Sequence, residues 1–465
     1  MLQYKQKVAI ATIFAYFIDL MNTYMSTVAF PKMGLALHAN ASQLSWVVTA
    51  YVLSLTLIIP VSGYLGDKYG TKKLFLGSIF IFTVASYLCG FSSSIESLIL
   101  WRFVQGLGGG LLIPVGQTML FRQYPAEERA KISAAVLIPA IVAPMIAPTV
   151  GGFIAQYLDW SWIFYFNVPF GIVIFLLASL WLKEEKQPVQ GKIDYLGLTL
   201  LSLGLFLLLY GCFLFGTPQG IETGLFSCLG SVALLVLFVL NSSRKKNPIL
   251  NLKLLKNKTF SVGTSIYFLL SVSFSALNIL MIYFFQNALG ASPEKTGMLM
   301  IPFGIGSIIG LKIAGAYFHK LGAKKLIYIG LSFFLLFGLL FCTINNIDQY
   351  NFVFILFLFY GLSVGKLANS LQALSFLKIQ NQNMSSASAL FNLNRQLGLS
   401  LGVGFFSMIL SVLLQRNHIL NDQQLLHNLG GIHIFHLCFF AIHIITVFSF
   451  IALVKLNKKH VQLTV

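Results

Sequence analysis

Charge is the scarcest commodity in this chain. Charged residues make up 9% of its 465 positions, and only 13 of them are acidic. A water-soluble domain carries about 25% charge, so this composition excludes a soluble surface of that size. Polar stretches long enough to fold as a separate domain are missing as well. The apolar–polar alternation of a membrane barrel is absent, which excludes that architecture. The five cysteines (Cys89, Cys212, Cys228, Cys342 and Cys438) stand singly, without metal or redox spacing, and read as small buried hydrophobes. No nucleophile–base set, metal-ligand cluster or phosphate loop stands out, so neither an enzyme nor a bound cofactor or metal is expected.

What the chain does have is apolar length. Hydrophobic residues are 57% of the total. Runs of about twenty residues, enough to cross the hydrocarbon as helices, begin near Val8, Trp46, Leu74, Leu98, Ile132, Trp162, Tyr195, Glu222, Phe260, Thr296, Leu326, Phe352, Ser386 and Ile432. The expectation is an all-α membrane protein with fourteen transmembrane helices. The first run is too long for a signal peptide and leads straight into further spans, so it reads as a retained helix.

The net charge of +18 raises nucleic acid as a partner, but its placement answers differently. Lys5, Lys7, Lys72, Lys73, Arg244, Lys245, Lys246 and Lys458 fall on one side of the spans. Only Lys32, Lys295 and Arg416 fall on the other. This asymmetry places the basic loops and both termini in the cytoplasm. The expected location is the plasma membrane, a bacterial inner membrane, crossed many times. The surplus orients the chain on an anionic lipid face, and no folded domain carries a basic patch that would read nucleic acid.

The chain also repeats itself. "GYLGDKYGTKK" (63–73) follows the second run and "GAYFHKLGAKK" (315–325) the tenth, with matching glycines and a matching Lys-Lys pair. Two related halves in one orientation are implied. The expected division is 1–186, an N-terminal six-helix bundle; 187–255, two linker helices; and 256–465, a C-terminal six-helix bundle. A substrate of such a plan sits between the halves near the bilayer midplane.

Three motifs carry a resemblance. In 63–73, Gly63 and Gly66 permit close helix contact and Gly70 a tight reversal. Asp67 places a negative charge among cations, with Arg129 or a helix N-terminus as its expected partner. This stretch resembles the signature loop of the major facilitator superfamily; the second copy has His319 in place of Asp67. "RFVQGLGGG" (102–110) supplies Arg102 and Gln105, with Gln117 further along, and resembles the superfamily's Arg-x-x-Gln-Gly element. "APMIAPTVGG" (143–152) supplies Pro144, Pro148, Gly151 and Gly152, a bendable and closely packed helix. It is similar to the antiporter motif of proton-driven exporters, with Ala147 where that pattern prefers glycine. The resemblance covers nearly the whole chain and is nearest to the fourteen-helix drug:proton antiporter branch. It implies the major facilitator fold, a proton gradient in place of a cofactor, and export of amphipathic, often cationic, compounds by alternating access.

Within the runs, charge is rarer still. Every acid but Asp19 falls in a loop or near the end of a run. A buried carboxylate titrates nearer neutral pH than an exposed one, so Asp19 is the candidate proton carrier, with Arg102 as its coupling partner. Helical spacing puts Asn22, Thr23 and Ser26 on the same stripe. Counted back from Pro31, the acid usual in the branch falls at Asn22, one turn from Asp19. In the second half Lys366, with Asn369 beside it, and Arg395 lie mid-run. Each cation would cost about 2.5–3.5 kcal/mol in lipid, so both are expected to face the cavity. The candidate substrate cavity is therefore Asn22, Thr23, Ser26, Gln105, Gln117, Lys366, Asn369 and Arg395. The candidate gate is Gly63, Asp67, Gly70, Arg129, Pro144, Pro148, Gly151 and Gly152.

The leading expectation is a proton-coupled antiporter that exports amphipathic small molecules or drugs, with substrate, protons and the bilayer as partners. A surplus of cations over acids in the cavity supports an alternative, the exporter of one anionic metabolite such as a siderophore or organic acid. A non-transporting receptor or scaffold is the alternative from another class. Whether a periplasmic adaptor joins the protein stays open.

Overall fold

The computed structural model describes residues 3–186, 194–215, 220–245, 248–346, 349–417 and 429–454. Lys246, Asp348, Asp422 and Lys458 lie outside the described residues, as does the side chain of Pro148. Fourteen helices are long and apolar enough to cross a membrane. In the first half they are α1 (Tyr4–Ala36), α2 (Gln43–Tyr69), α3 (Thr71–Gly90), α4 (Ile95–Gln123), α5 (Arg129–Tyr157) and α6 (Trp162–Trp181). Two follow between the halves, α7 (Tyr195–Leu214) and α8 (Glu222–Arg244). The second half holds α9 (Lys258–Ala288), α10 (Lys295–Leu321), α11 (Ala323–Thr343), α12 (Tyr350–Phe376), α13 (Asn381–Arg416) and α14 (Gly430–Val454). There is no strand among the described residues.

Local chemistry sets the ends. Asn40 caps α2 by accepting from Gln43 N at 2.9 Å, and Ser94 caps α4 through Ser97 N at 3.2 Å. Ser292 opens α10 ahead of Pro293, whose missing N–H costs nothing in a first turn. The two repeat glycines do the same work in both halves. Gly70 (φ 99°) ends α2 and Gly322 (φ 78°) ends α10, in a backbone region where a side chain is strained. The repeat read from sequence is thus a repeated turn.

Several spans are not uniform α-helix. The α-helix of α1 stops at Met25, passes through a 3₁₀ turn at Ser26–Ala29 and resumes at Phe30–Ala36. Pro31 sits in the first turn of that last piece, where its ring is tolerated. The last residues of α9, Phe284–Ala288, widen into a π turn, and α6 is interrupted between Tyr165 and Asn167.

The packing forms two six-helix bundles with an intervening pair. α1–α6 pack among themselves, as do α9–α14, and α7 packs with α8. The halves meet where α2 and α4 contact α13, and where α5 contacts α10 and α12. The α7–α8 pair leans on α2 and α13; Trp46 meets Phe213 with ring centroids 5.3 Å apart, and Gly404 gives α13 room against Cys212. α10 and α12 pack tightly against each other. A Cβ on Gly306 would lie 1.9 Å from Leu358 O, and one on Gly361 would lie 2.1 Å from Phe303 O. Interlocked small residues let these backbones touch where no water drives them together.

Candidate functional site

The site begins with Asp19, 2% exposed and in the middle of α1. Its carboxylate Oδ1 accepts the hydroxyl proton of Tyr51, from α2. Gly109, on α4, leaves the space for that pair: a Cβ there would lie 2.5 Å from Asp19 Oδ1 and 2.6 Å from Tyr51 Oη. The other face of the assembly is Arg102, fully buried. Its guanidinium stacks over the Tyr51 ring at 4.4 Å and lies 5.6 Å from the Phe164 ring. It donates to Val47 O at 3.0 Å, Gln105 Oε1 at 2.9 Å and Ser26 Oγ at 3.4 Å. Arg102 and Asp19 therefore form no direct ion pair. They are joined through Tyr51, and no ion pair among the described residues involves either of them.

Asn22 lies one turn on and is fully buried. Its Oδ1 accepts from Gln105 Nε2 and from Asn167 Nδ2, both at 3.2 Å. Asn167, of α6, also donates to Ser86 Oγ at 3.3 Å. One polar network thus ties α1, α2, α3, α4 and α6 together at mid-depth. Sequence reasoning found Asp19, Asn22, Ser26, Arg102 and Gln105, and the structure brings them together. It missed Tyr51, Ser86 and Asn167, which look in sequence like ordinary aromatic and polar residues of apolar helices. Thr23 stands apart from the network, its hydroxyl turned back onto Asp19 O at 2.9 Å.

Across the seam, half-buried Arg395 of α13 donates to Tyr16 Oη of α1 at 3.1 Å. It acts electrostatically on Asp19, as Arg102 does. Lys366 does not join this seam. Its ammonium lies 5.1 Å from the Phe333 ring of α11, so an aromatic face takes the place expected of the cavity. Asn369 donates to Leu311 O of α10 at 3.1 Å and so belongs to helix packing. Gln117 accepts from Asn392 Nδ2 of α13 at 2.5 Å, a contact between the halves.

The face carrying the basic loops is sealed. Asp67 accepts from Arg122 Nη2 at 2.9 Å and from Ser385 Oγ at 2.7 Å, and Arg122 also donates to Ser385 Oγ at 3.0 Å. The partner of Asp67 is therefore Arg122, in the last turn of α4, and not Arg129. Arg129 reaches Phe376 O at 2.5 Å and Ile379 O at 3.3 Å, satisfying carbonyls at the end of α12. Gly63 admits the backbone of Ser385, 3.1 Å from where its Cβ would be, and Phe121 meets Phe376 with ring centroids 4.7 Å apart. His319, standing where the repeat would put an acid, bonds Glu127 O of the other half. The segment after α6 closes over this latch. Glu185 O accepts from Thr71 N at 3.1 Å, and its carboxylate accepts from Gln123 at 2.6 Å and lies 3.9 Å from Arg122. The Glu184 carboxylate fills the space beside Gly70.

On α5, Pro144 is half-buried, and Gly151 faces Met25 where the α-helix of α1 stops, with Gly152 beside Val28. Gly151 and Gly152 thus seat the broken part of α1 against α5. With the seal closed, Tyr24 on α1 remains 39% exposed and Arg395 partly so.

The family model described as Major Facilitator Superfamily matches residues 12–403. The chain is 30% identical over 385 residues to the Multidrug resistance protein B homolog of Mycobacterium tuberculosis (strain ATCC 25618 / H37Rv), covering 80% of this chain and 70% of that one. Among solved structures, it superposes on the proton:xylose symporter XylE with a TM-score of 0.67 at 15% identity, covering 97% and 95% of the two chains. The human organic anion transporter MFSD10 gives a TM-score of 0.68 at 14% identity, covering 97% and 100%. A family model that matches residues 12–403 places the chain in the major facilitator superfamily.

Proposed function

We propose that the protein is a proton-coupled antiporter that exports amphipathic small molecules from the cytoplasm by alternating access. The basic face is then cytoplasmic, and the structure is the form closed to the cytoplasm. The observation that carries the reading is Asp19: an acid at mid-depth, buried, hydrogen-bonded to Tyr51 and set between two arginines that form no ion pair among the described residues. A charged group so placed is a functional site by default. The relative named for multidrug resistance supports a drug-like substrate.

The test is substrate-driven proton movement in proteoliposomes, screened over lipophilic cations, neutral amphiphiles and organic anions. Exchange requires that an ionised Asp19 favour substrate and a protonated one release it, which suits cations and hydrogen-bond donors. Asp19→Asn is expected to abolish the proton signal for every substrate. An Asp19→Asn protein that still moves protons with substrate would overturn the assignment.

The half-buried guanidinium of Arg395, which forms no ion pair among the described residues, favours a second reading, an anionic substrate. An anion beside Asp19 draws a proton onto it, so substrate and proton would travel together. Wild-type protein that carries anions with protons in the same direction would select this reading, and Arg395→Glu should then reverse the charge preference.

A further inference from the structure

We infer that Tyr51 is the relay between the two charged groups of the site, reporting the protonation of Asp19 to Arg102. The inference rests on the reading of Asp19 as the proton carrier. Three observations support it. Tyr51 is fully buried, and its hydroxyl hydrogen-bonds the Asp19 carboxylate. The face of the same ring carries the Arg102 guanidinium at 4.4 Å. Gly109 holds clear the space at their junction, so that neither group is forced from the other.

The chemistry follows from donor and acceptor roles. An ionised carboxylate only accepts, so Tyr51 must donate to it. Donation to an anion pushes electron density onto the phenol and enriches the ring face. A cation over that face is then held more tightly. When Asp19 takes up a proton it gains an O–H donor, and Tyr51 can accept instead. The ring loses density and its hold on Arg102 weakens. Arg102 in turn grips Val47 O of α2 and Ser26 Oγ at the break in α1. A proton on one oxygen is thereby converted into a change at two helices, with no direct contact between the acid and the arginine.

The groups that bear on Asp19 come from several elements: Tyr51 from α2, Arg102 from α4 and Arg395 from α13. A direct field from Asp19 on Arg102 is therefore the competing explanation, and the test must separate field from relay. The measurement is pH-difference infrared spectroscopy on the full-length protein in lipid, with isotope-labelled arginine and aspartate. Asp19→Asn and Arg102→Lys identify the two bands. Wild type is expected to show an Asp19 carboxyl band appearing on acidification and an Arg102 guanidinium band shifting with the same midpoint. In Tyr51→Phe the ring remains over Arg102 but the hydroxyl is gone. There the carboxyl band should persist and the guanidinium response should be lost.

Gly109→Ala provides a second variant, since it keeps every functional group and drives a methyl into the Asp19–Tyr51 junction. It should give the same uncoupling. A guanidinium band that still follows the carboxyl in both variants would overturn the relay. Tyrosine serving only to fill space would give that result, because phenylalanine fills it too. Absence of any Asp19 band in wild type would instead overturn the proton-carrier reading, so the two failures are distinguishable.

Discussion

Asp67→Asn tests whether the basic-face latch sets the balance between sealed and open forms. The Arg122 side chain is 4% exposed and that of Asp67 16%, so their 2.9 Å contact is shielded from water. Asparagine keeps an acceptor for Arg122 and Ser385 but removes the charge. Breaking a buried pair outright costs about 3–5 kcal/mol because a charge is left alone. Here Glu185 stays 3.9 Å from Arg122, and Ser385 and Asn381 O still accept or share its protons. The loss should therefore be nearer the value of one charge-assisted hydrogen bond, about 2 kcal/mol. That is roughly a 30-fold shift in the equilibrium. A protein sealed at 99:1 would fall to about 3:1. Spin labels at Tyr69 of α2 and Gln382 of α13, both exposed at the basic face, report the distance between halves by double electron–electron resonance. The variant should show a second, longer population. Unchanged distances would refute the latch, and so would additive effects of Asp67→Asn and Arg122→Gln in a double-mutant cycle.

Other consequences follow from particular contacts. Burial pushes the Glu185 carboxyl above its ordinary value, with Arg122 and Gln123 opposing the rise. A raised value means that the sealed form binds this proton more tightly than a form in which Glu185 is wetted. Acidifying the basic side toward the carboxylate range should then add to the sealed population, an increment lost as pH rises and absent in Glu185→Gln, measured with the same labels. Asp194 behaves oppositely. Burial alone would raise it, but Lys245, Gly197 N and Asn241 outweigh burial and hold the carboxyl below its usual value. Its contribution is present at neutral pH and fades as pH falls through that lowered value. Asp194→Ala removes the cap of α7 and should cost about 1 kcal/mol locally, read as faster hydrogen exchange at Gly197, whose N–H it accepts at 2.9 Å. Gly361→Ala drives a methyl to within 2.1 Å of Phe303 O. Separating α10 from α12 should cost about 1–3 kcal/mol, seen as a lower Tm in detergent; an unchanged Tm would show that the helices can part freely.

The spans were legible because bilayer thickness imposes a length that few other constraints mimic. Expected starts such as Trp46 and Leu98 fall inside helices whose caps, at Asn40 and Ser94, lie a turn or two earlier. The repeat was legible because a positive-φ turn demands glycine twice. The 3₁₀ break in α1 was not, since the apolar run continues through it. Within the site, rare charges announced themselves, and Asp19 and Arg102 lie where a costly group must lie. Tyr51 and Asn167 gave no such sign, because each becomes a site residue only through helices distant in sequence. Lys366 shows the limit of the same logic: an intramembrane cation needs a partner, but sequence does not say that Phe333 supplies it. The exchange of Arg129 for Arg122 beneath Asp67 has a similar origin. Both arginines lie near the loop between α4 and α5, and only the packing of α12 and α13 decides which meets a carboxylate and which meets carbonyls.

These contacts converge on α1. Its Asp19 segment is tied to its own half through Tyr51, and Ser26 receives Arg102 at the helix break. Tyr16, three residues before Asp19, is tied to the other half through Arg395. The break itself rests on Gly151 and Gly152 of α5, the helix that also packs against α10 and α12. A rigid helix would force these contacts to change together. A helix interrupted at Ser26–Ala29 lets the Asp19 segment move while the outer piece stays seated on α5. Asn22 is bonded to Gln105 and Asn167 of its own half, and Asp19 lies one turn earlier on the same helical piece, toward Tyr16 and the seam between the halves. The buried acid of α1 thus stands where one helix touches both bundles.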